Sequence, residues 1–450
     1  MEEETSTFSF KVTKYLIDGQ YIREYPNATV TPEAQPKLAV KEYTPINNPT
    51  PRPGDVTIVA AHGCGFPKEL YEPLWEDLLT QSEDNGFHIR AIWIADTAGL
   101  GESGMHNEQL LGDSPSWFDH SRDLLYMINQ FRDEMPQPII GVGHSMGAGQ
   151  LVLLSLMHPR LFTSLSLIEP VIAKDIFTAQ GPQLSLLSLK RRDTWPSKAE
   201  AIAHARKICK RWDPRVLERW IEHGYRTLPP GTNSTAQATS IGSSDSSRVT
   251  LKSSKHQEVM HYLRPNPSGH RPLQLNREGN INPGPVTIRS QQQQKHDPLF
   301  YPDIVGPAHT VAPFYRSEPV IAWRMLPHLR PSTLYIFGSK SPISTPVVRT
   351  QLLERTGTGV GGSGGKDNGR VRDVVFDGAG HQLPLENTER AAGALGEWVG
   401  LSVKQWKADQ QRIMARAAAK LERNVGDWVP LLEGVLRDTV GGKPQRKANL

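Results

Sequence analysis

Apolar residues arrive in short blocks through the first half of the chain. Val56 to Ala61 (Val-Thr-Ile-Val-Ala-Ala) is β-branched and apolar, and His88 to Ala95, Pro138 to Val142 and Thr163 to Ile168 are similar runs. They lack the strict alternation of a half-wet strand, so they read as strands covered on both faces. Helical spacing separates them. Leu124, Met127, Ile128 and Phe131 recur at a 3.6-residue period, and Met146 to Met157 reads as a buried helix closed by His158-Pro159. Strands alternating with helices predict an α/β fold with a mostly parallel central sheet. Residues 1–170 are assigned to the first part of its core.

The pattern breaks over residues 171–304, which read as an inserted helical cap. Ser197-Lys-Ala-Glu200 is a capping box opening a helix through Lys210, and a second helix is expected from Pro214 to about Tyr225. Residues at about 229–295, rich in Ser, Thr, Gly, Pro, Asn and Gln, are expected to be loop or disorder. Sheet patterning returns over 305–400, the second part of the core. It holds strands at Ser332 to Phe337 and Val371 to Phe376, a glycine-rich loop at 359–369 and a closing helix from Asn387 to Val399. Residues 401–450 are assigned to a helical extension and flexible tail, which covers the core or mediates a homodimer.

Composition narrows the function. Lys and Arg number 51 against 47 Asp and Glu, a net +4 over 450 residues, which does not suggest nucleic acid as the main partner. No run is long and apolar enough to span a membrane, and the acidic start lacks the apolar core of a signal peptide. Two cysteines, Cys64 and Cys209, exclude a disulfide framework and fit a reducing compartment. The Ala448-Asn449-Leu450 ending after a basic run resembles a peroxisomal import signal, giving the peroxisome as the expected location and the cytoplasm as the alternative.

Gly143-His-Ser145-Met-Gly147 carries the chemistry. It follows a predicted strand and opens a predicted helix, the setting of a nucleophile elbow, in which glycines make room for a strained serine. This defines an α/β-hydrolase fold with Ser145 as nucleophile. His381 follows the last strand, where the general base belongs. The acid is expected at Glu169, at the end of the Thr163–Ile168 strand, because the strand before the His381 strand ends in Gly-Ser-Lys-Ser341 without a carboxylate; Asp367 is the alternative. His62-Gly-Cys-Gly65 follows the first core strand. The backbone amides of Met146 and of Cys64 or Gly65 are therefore the expected oxyanion donors. His62, His144 and Asp96 are read as structural. Lys190-Arg191-Arg192 either receives phosphates of a carrier such as coenzyme A or forms a solvated basic face. Neither metal nor organic cofactor is indicated.

His62-Gly-Cys-Gly-Phe-Pro-Lys-Glu-Leu-Tyr-Glu-Pro-Leu-Trp75, Gly-Phe-His-Ile-Arg90, Ser116-Trp117, the elbow and the Gly-Gly-Ser-Gly-Gly365 loop resemble the fungal peroxisomal α/β-hydrolases of secondary metabolism. That group includes the acyl-CoA hydrolase of mycophenolic acid biosynthesis and the hydrolases of host-selective toxin clusters. The similarity runs from about Phe8 to Trp406. It implies a triad of Ser145, an acid at the Glu169 position (Asp in the mycophenolate enzyme) and His381. It further implies thioester hydrolysis and a peroxisomal address read by an import receptor. The expected substrate is an acyl thioester or ester, with lipase or carboxylesterase activity as one alternative and a catalytically idle scaffold as the other.

Overall fold

The computed structural model describes residues 3–6, 9–175, 181–228, 248–266, 297–304, 314–421, 432–433 and 435–436. Seven strands precede the inserted segment: β1 (Glu3–Ser6), β2 (Phe10–Asp18), β3 (Lys37–Pro45), β4 (Val56–Ala61), β5 (Ile89–Ala95), β6 (Ile139–His144) and β7 (Ser164–Ile168). Between them lie helices α1 (Glu72–Asp84), α2 (Gly101–His106), α3 (Trp117–Gln130) and α4 (Met146–Met157). The inserted segment carries β8 (Thr194–Trp195), β9 (Tyr225–Thr227), β10 (Val249–Leu251), β11 (Arg264–Pro265) and β12 (Phe314–Tyr315). Among the described residues its helices before β12 are α5 (Gly181–Lys190), α6 (Lys198–Ile208), α7 (Pro214–His223) and α8 (Lys255–Tyr262). The chain then returns to the sheet through β13 (Ser332–Gly338) and β14 (Val371–Phe376).

The main sheet has the order β1-β2-β3-β5-β4-β6-β7-β13-β14. It is antiparallel from β1 to β5 and parallel from β5 to β14. Every residue of β4, β6, β7 and β13 is buried, as continuous apolar runs require of strands covered on both faces. The edge strand β14 buries only its two end residues. Helix α4 is buried from Met146 to Ser155 because it packs over the sheet centre, and its sequence is apolar all round for that reason.

Parallel pairing sends the carboxyl ends of β4, β6, β7, β13 and β14 to one edge. His144 pairs with Ile168, and Ile168 with Ile336, so Ser145 and Glu169 emerge side by side from neighbouring strands. Open α/β sheets place their ligands at this edge.

Three expectations are corrected. The stretch at about 229–295 is not all loop, since β10, α8 and β11 lie within it. Its polar residues are used internally: Ser254 and Gln257 form a reciprocal capping box, and the Glu258 side chain is buried. Residues 229–247 and 267–295 lie outside the described residues. The inserted segment is also not purely helical, because β8, β10 and β9 form a small antiparallel sheet and Tyr225 starts a strand instead of ending a helix. The closing helix does not stop at Val399 but runs unbroken from Thr388 to Leu421.

Residues 1–402 form one compact unit and residues 403–450 a second. No helix among the described residues is long and apolar enough to cross a membrane.

Candidate active site

Ser145 sits between β6 and α4 with φ +56° and ψ −117°, a strained conformation for a residue with a side chain. Its amide donates to the Ile168 carbonyl at 2.9 Å, and its carbonyl accepts from the Val171 amide at 3.2 Å, which pins the turn from both sides. A Cβ on Gly143 would fall 2.6 Å from the Ala148 Cα, so only glycine lets strand and helix meet this closely.

Glu169 is the second strained residue, at φ +48°. It directly follows β7, and its amide donates to Ile336 in β13 at 2.9 Å. The carboxylate is fully buried. Burying such a group is costly unless donors meet both oxygens, and four do. Oε1 accepts from the Gly338 amide and from Ser344 Oγ, both at 2.7 Å. Oε2 accepts from Ser341 Oγ and, at 3.1 Å, from His381 Nδ1. His381 lies beyond β14, and its Nε2 is 2.9 Å from Ser145 Oγ. The carboxylate can only accept, so Nδ1 carries the proton and Nε2 is free to take one from the serine. The three residues thus form one hydrogen-bonded line.

Asp367 is excluded from that line. It is exposed in a turn that precedes β14, whereas His381 follows it. Six strand residues separate the two ends, about 20 Å at the usual rise.

Met146 begins α4, and the first turn of that helix abuts the end of β4: a Cβ on Gly147 would lie 2.2 Å from the Ala61 carbonyl oxygen. This sets the start of α4 against the end of β4, from which the loop of Gly63, Cys64 and Gly65 leaves. Gly65 has φ +79° and faces the Glu258 side chain. The Cys64 thiol donates to the Glu258 carbonyl at 3.7 Å, and burial pushes its pKa up, so it supplies no thiolate. Beside Ser145 and Met146 is a small opening walled by Trp117, Val171, Leu184 and Pro319. Most of this wall comes from the segment between β7 and β13.

The other polar candidates are engaged elsewhere. Asp96 accepts from the Lys68 ammonium at 2.8 Å and caps α2 through the Glu102 amide at 2.8 Å. Arg191 pairs with buried Glu258, and Arg192 lies over the Trp195 ring at 5.6 Å. Their guanidiniums therefore serve the inserted segment, while Lys190 is exposed. His62 takes the Thr97 amide at 2.9 Å and is held neutral by burial. Among the described residues no group of three or more His, Cys, Asp or Glu could hold a metal ion.

Sequence reasoning did not single out Ser341, Ser344 or Tyr71. The two serines carried a signal, since hydroxyls occupy the loop that lacks the expected carboxylate. Tyr71 carried none.

Residues 58–394 match the Alpha/beta hydrolase family, and the chain belongs to it. Among its relatives, the chain is 38% identical over 422 residues to Type I acyl-CoA thioesterase mpaH of Penicillium brevicompactum, covering 90% of this chain and 92% of that protein. It is 29% identical over 268 residues to the Abhydrolase domain-containing protein ACTT2-1 of Alternaria alternata, covering 59% of this chain and 84% of that one. In fold it is similar to the peroxisomal alpha-beta-hydrolase Lpx1 of Saccharomyces cerevisiae, with a TM-score of 0.62 at 17% identity over 93% of this chain and all of that one.

Proposed function

We propose that this protein is a serine hydrolase that cleaves an acyl-CoA thioester in fungal secondary metabolism by two-step acyl transfer. The observation that carries the mechanism is the hydrogen-bonded line from Ser145 through His381 to Glu169. In this reading His381 Nε2 takes the Ser145 proton as Oγ attacks the acyl carbonyl, and Glu169 stabilises the imidazolium that forms. The Met146 amide and an amide of the Cys64–Gly65 loop receive the oxyanion, each worth about 3 kcal/mol in the transition state. The imidazolium then gives that proton to the departing CoA thiolate as the C–S bond breaks, leaving an acyl-serine, and the neutral imidazole activates water to release the acid and restore Ser145. The segment between β7 and β13 acts as the cap that shapes the acyl site. Thioester specificity is supported by the similarity to the mpaH thioesterase along nearly the whole of both chains. A peroxisomal location is supported by the Ala448-Asn449-Leu450 ending and the resemblance to the fungal peroxisomal hydrolases, and is tested by imaging a fluorescent fusion.

The deciding experiment measures free-thiol release from a panel of acyl-CoA thioesters beside p-nitrophenyl esters, with wild type and Ser145→Ala. Thiol release abolished by Ser145→Ala is the expected result. Ester cleavage without thiol release moves the assignment to a carboxylesterase. If neither substrate is cleaved and a fluorophosphonate leaves Ser145 unlabelled, the protein is an idle scaffold.

A further inference from the structure

His144, the residue before the nucleophile, is fully buried and touches neither Ser145 Oγ nor the opening beside it, yet both its nitrogens are bonded. Nε2 lies 3.0 Å from the backbone carbonyl of His381. A carbonyl only accepts, so Nε2 carries a proton. Nδ1 lies 2.8 Å from the Tyr71 hydroxyl, and that hydroxyl accepts the Gly63 amide at 2.8 Å. Burial lowers the His144 pKa to about 3, so the ring is neutral at any working pH and Nδ1 is an acceptor. The Tyr71 proton therefore points at Nδ1. Burial raises the Tyr71 pKa, so the hydroxyl keeps that proton. Phe66 stacks on the imidazole at 5.9 Å and 17°, which fixes the ring plane.

Each bond sets the direction of the next. The Gly63 amide donates to Tyr71, Tyr71 to His144, and His144 to the His381 carbonyl. The chain starts one residue before Cys64, passes through the elbow and ends on the backbone of the base. We infer that His144 is a positioning residue, with Tyr71 fixing its tautomer, and that this relay holds the oxyanion loop and the His381 backbone in register with Ser145. The inference rests on the Ser145–His381 reading of the site. With the opposite tautomer, a lone pair on Nε2 would face the lone pairs of the His381 carbonyl, and the loop bearing the base would be pushed away from the serine. A misplacement on the order of 1 Å at a reacting group can cost about 100-fold in rate.

Two substitutions separate positioning from packing. His144→Asn keeps an acceptor near the Nδ1 position but has no atom at Nε2. His144→Gln places an amide N–H near Nε2 and can still donate to the His381 carbonyl. Steady-state kinetics on p-nitrophenyl butyrate and butyryl-CoA, with melting temperatures alongside, are expected to show His144→Asn lowering kcat by about 10- to 100-fold. KM should stay within about twofold, and His144→Gln should recover most of the loss. Tyr71→Phe, which removes the proton that fixes the tautomer, should lower kcat in the same direction by a smaller factor. If neither probe is turned over, the rate at which a fluorophosphonate labels Ser145 replaces kcat, with the same ranking expected. Equal losses in the Asn and Gln variants at unchanged melting temperature would overturn the inference, as would Tyr71→Phe at wild-type rate. Should the His144 variants fail to fold, Tyr71→Phe alone decides. Activity that survives Ser145→Ala is a different failure: it removes the reading of the site on which this inference stands.

Discussion

Ser344 Oγ donates a 2.7 Å hydrogen bond to the Glu169 carboxylate across the boundary between β13 and β7. The loop after β13 thus contributes no acid of its own. It contributes two hydroxyls that join the Gly338 amide at the end of β13, all aimed at a carboxylate delivered by the neighbouring strand. This division of labour makes Glu169→Gln a sharp test. The amide would turn a donor toward His381 Nδ1 and disfavour the tautomer that accepts the serine proton. A fall in kcat of about 1,000- to 10,000-fold is expected while the fold is kept. A variant within tenfold of wild type would assign the acid role elsewhere.

Ser344→Ala probes the same carboxylate through stability. It deletes one of two donors to Oε1 in a fully buried setting. Hydrogen bonds to charged groups contribute about 1.5–3 kcal/mol, and urea unfolding should report a loss of that size. An unchanged midpoint would mean that the hydroxyl does not support Glu169.

Much of the site was legible in the sequence because its parts sit on the most regular elements. β4, β6 and α4 are continuous apolar runs, and the pentapeptide at their junction could be read in context. Glu169 emerged by elimination, since the loop after β13 holds no carboxylate. What escaped depends on tertiary partners. β2 is an antiparallel strand whose Leu16 is 42% exposed while Lys14 and Tyr15 are half-buried, so its alternation is blurred. α8 is polar in composition because Glu258 is answered by Ser188 of α5 and Arg191 just beyond that helix, residues far away in sequence. Tyr71 looks like any tyrosine near a helix start until the sheet brings His144 to its hydroxyl.

Both thiols should be silent in the folded protein. Cys64 and Cys209 are buried, and burial raises both pKa values, that of Cys209 to about 12. Thiolate is the reactive form. Iodoacetamide at neutral pH is expected to leave hydrolysis intact, and both cysteines should titrate with Ellman's reagent only after denaturation. Rapid inactivation by the alkylating agent would contradict this and reopen Cys64 as a participant.

Acid should weaken the fold through four buried histidines. His62, His120, His144 and His261 are buried, and desolvation lowers all four pKa values, to about 3 for His144 and about 4 for His261. In the unfolded chain these imidazoles take up protons near pH 6.5. Between that pH and about 4 these four residues bind more protons in the unfolded state than in the folded one, so their contribution to stability is full above pH 6.5 and is lost as pH falls. The melting temperature should drop steadily from pH 7 to pH 4.5, and less steeply in His120→Leu. A flat profile in wild type would contradict the burial of neutral histidines.

Gly147→Ala should be far more damaging than its size suggests. The added carbon would lie 2.2 Å from the Ala61 carbonyl oxygen and 2.7 Å from that of His62. Both are backbone atoms at the end of β4, so no side chain can swing away. The helix must lift off the sheet two residues after Ser145. Overpacking of well-filled interiors costs about 1–3 kcal/mol where side chains can adjust, and a rigid backbone contact should exceed that range. Gly393→Ala is the internal control. It lies in the helix Thr388–Leu421 with nothing within 4 Å of its would-be Cβ, and should be neutral or stabilising by about 0.4–1 kcal/mol. Thermal melts of the two variants are expected to move in opposite directions, with soluble yield falling only for Gly147→Ala. A Gly147→Ala protein that melts with wild type and hydrolyses at the wild-type rate would mean that α4 and β4 are not as closely apposed as the elbow requires.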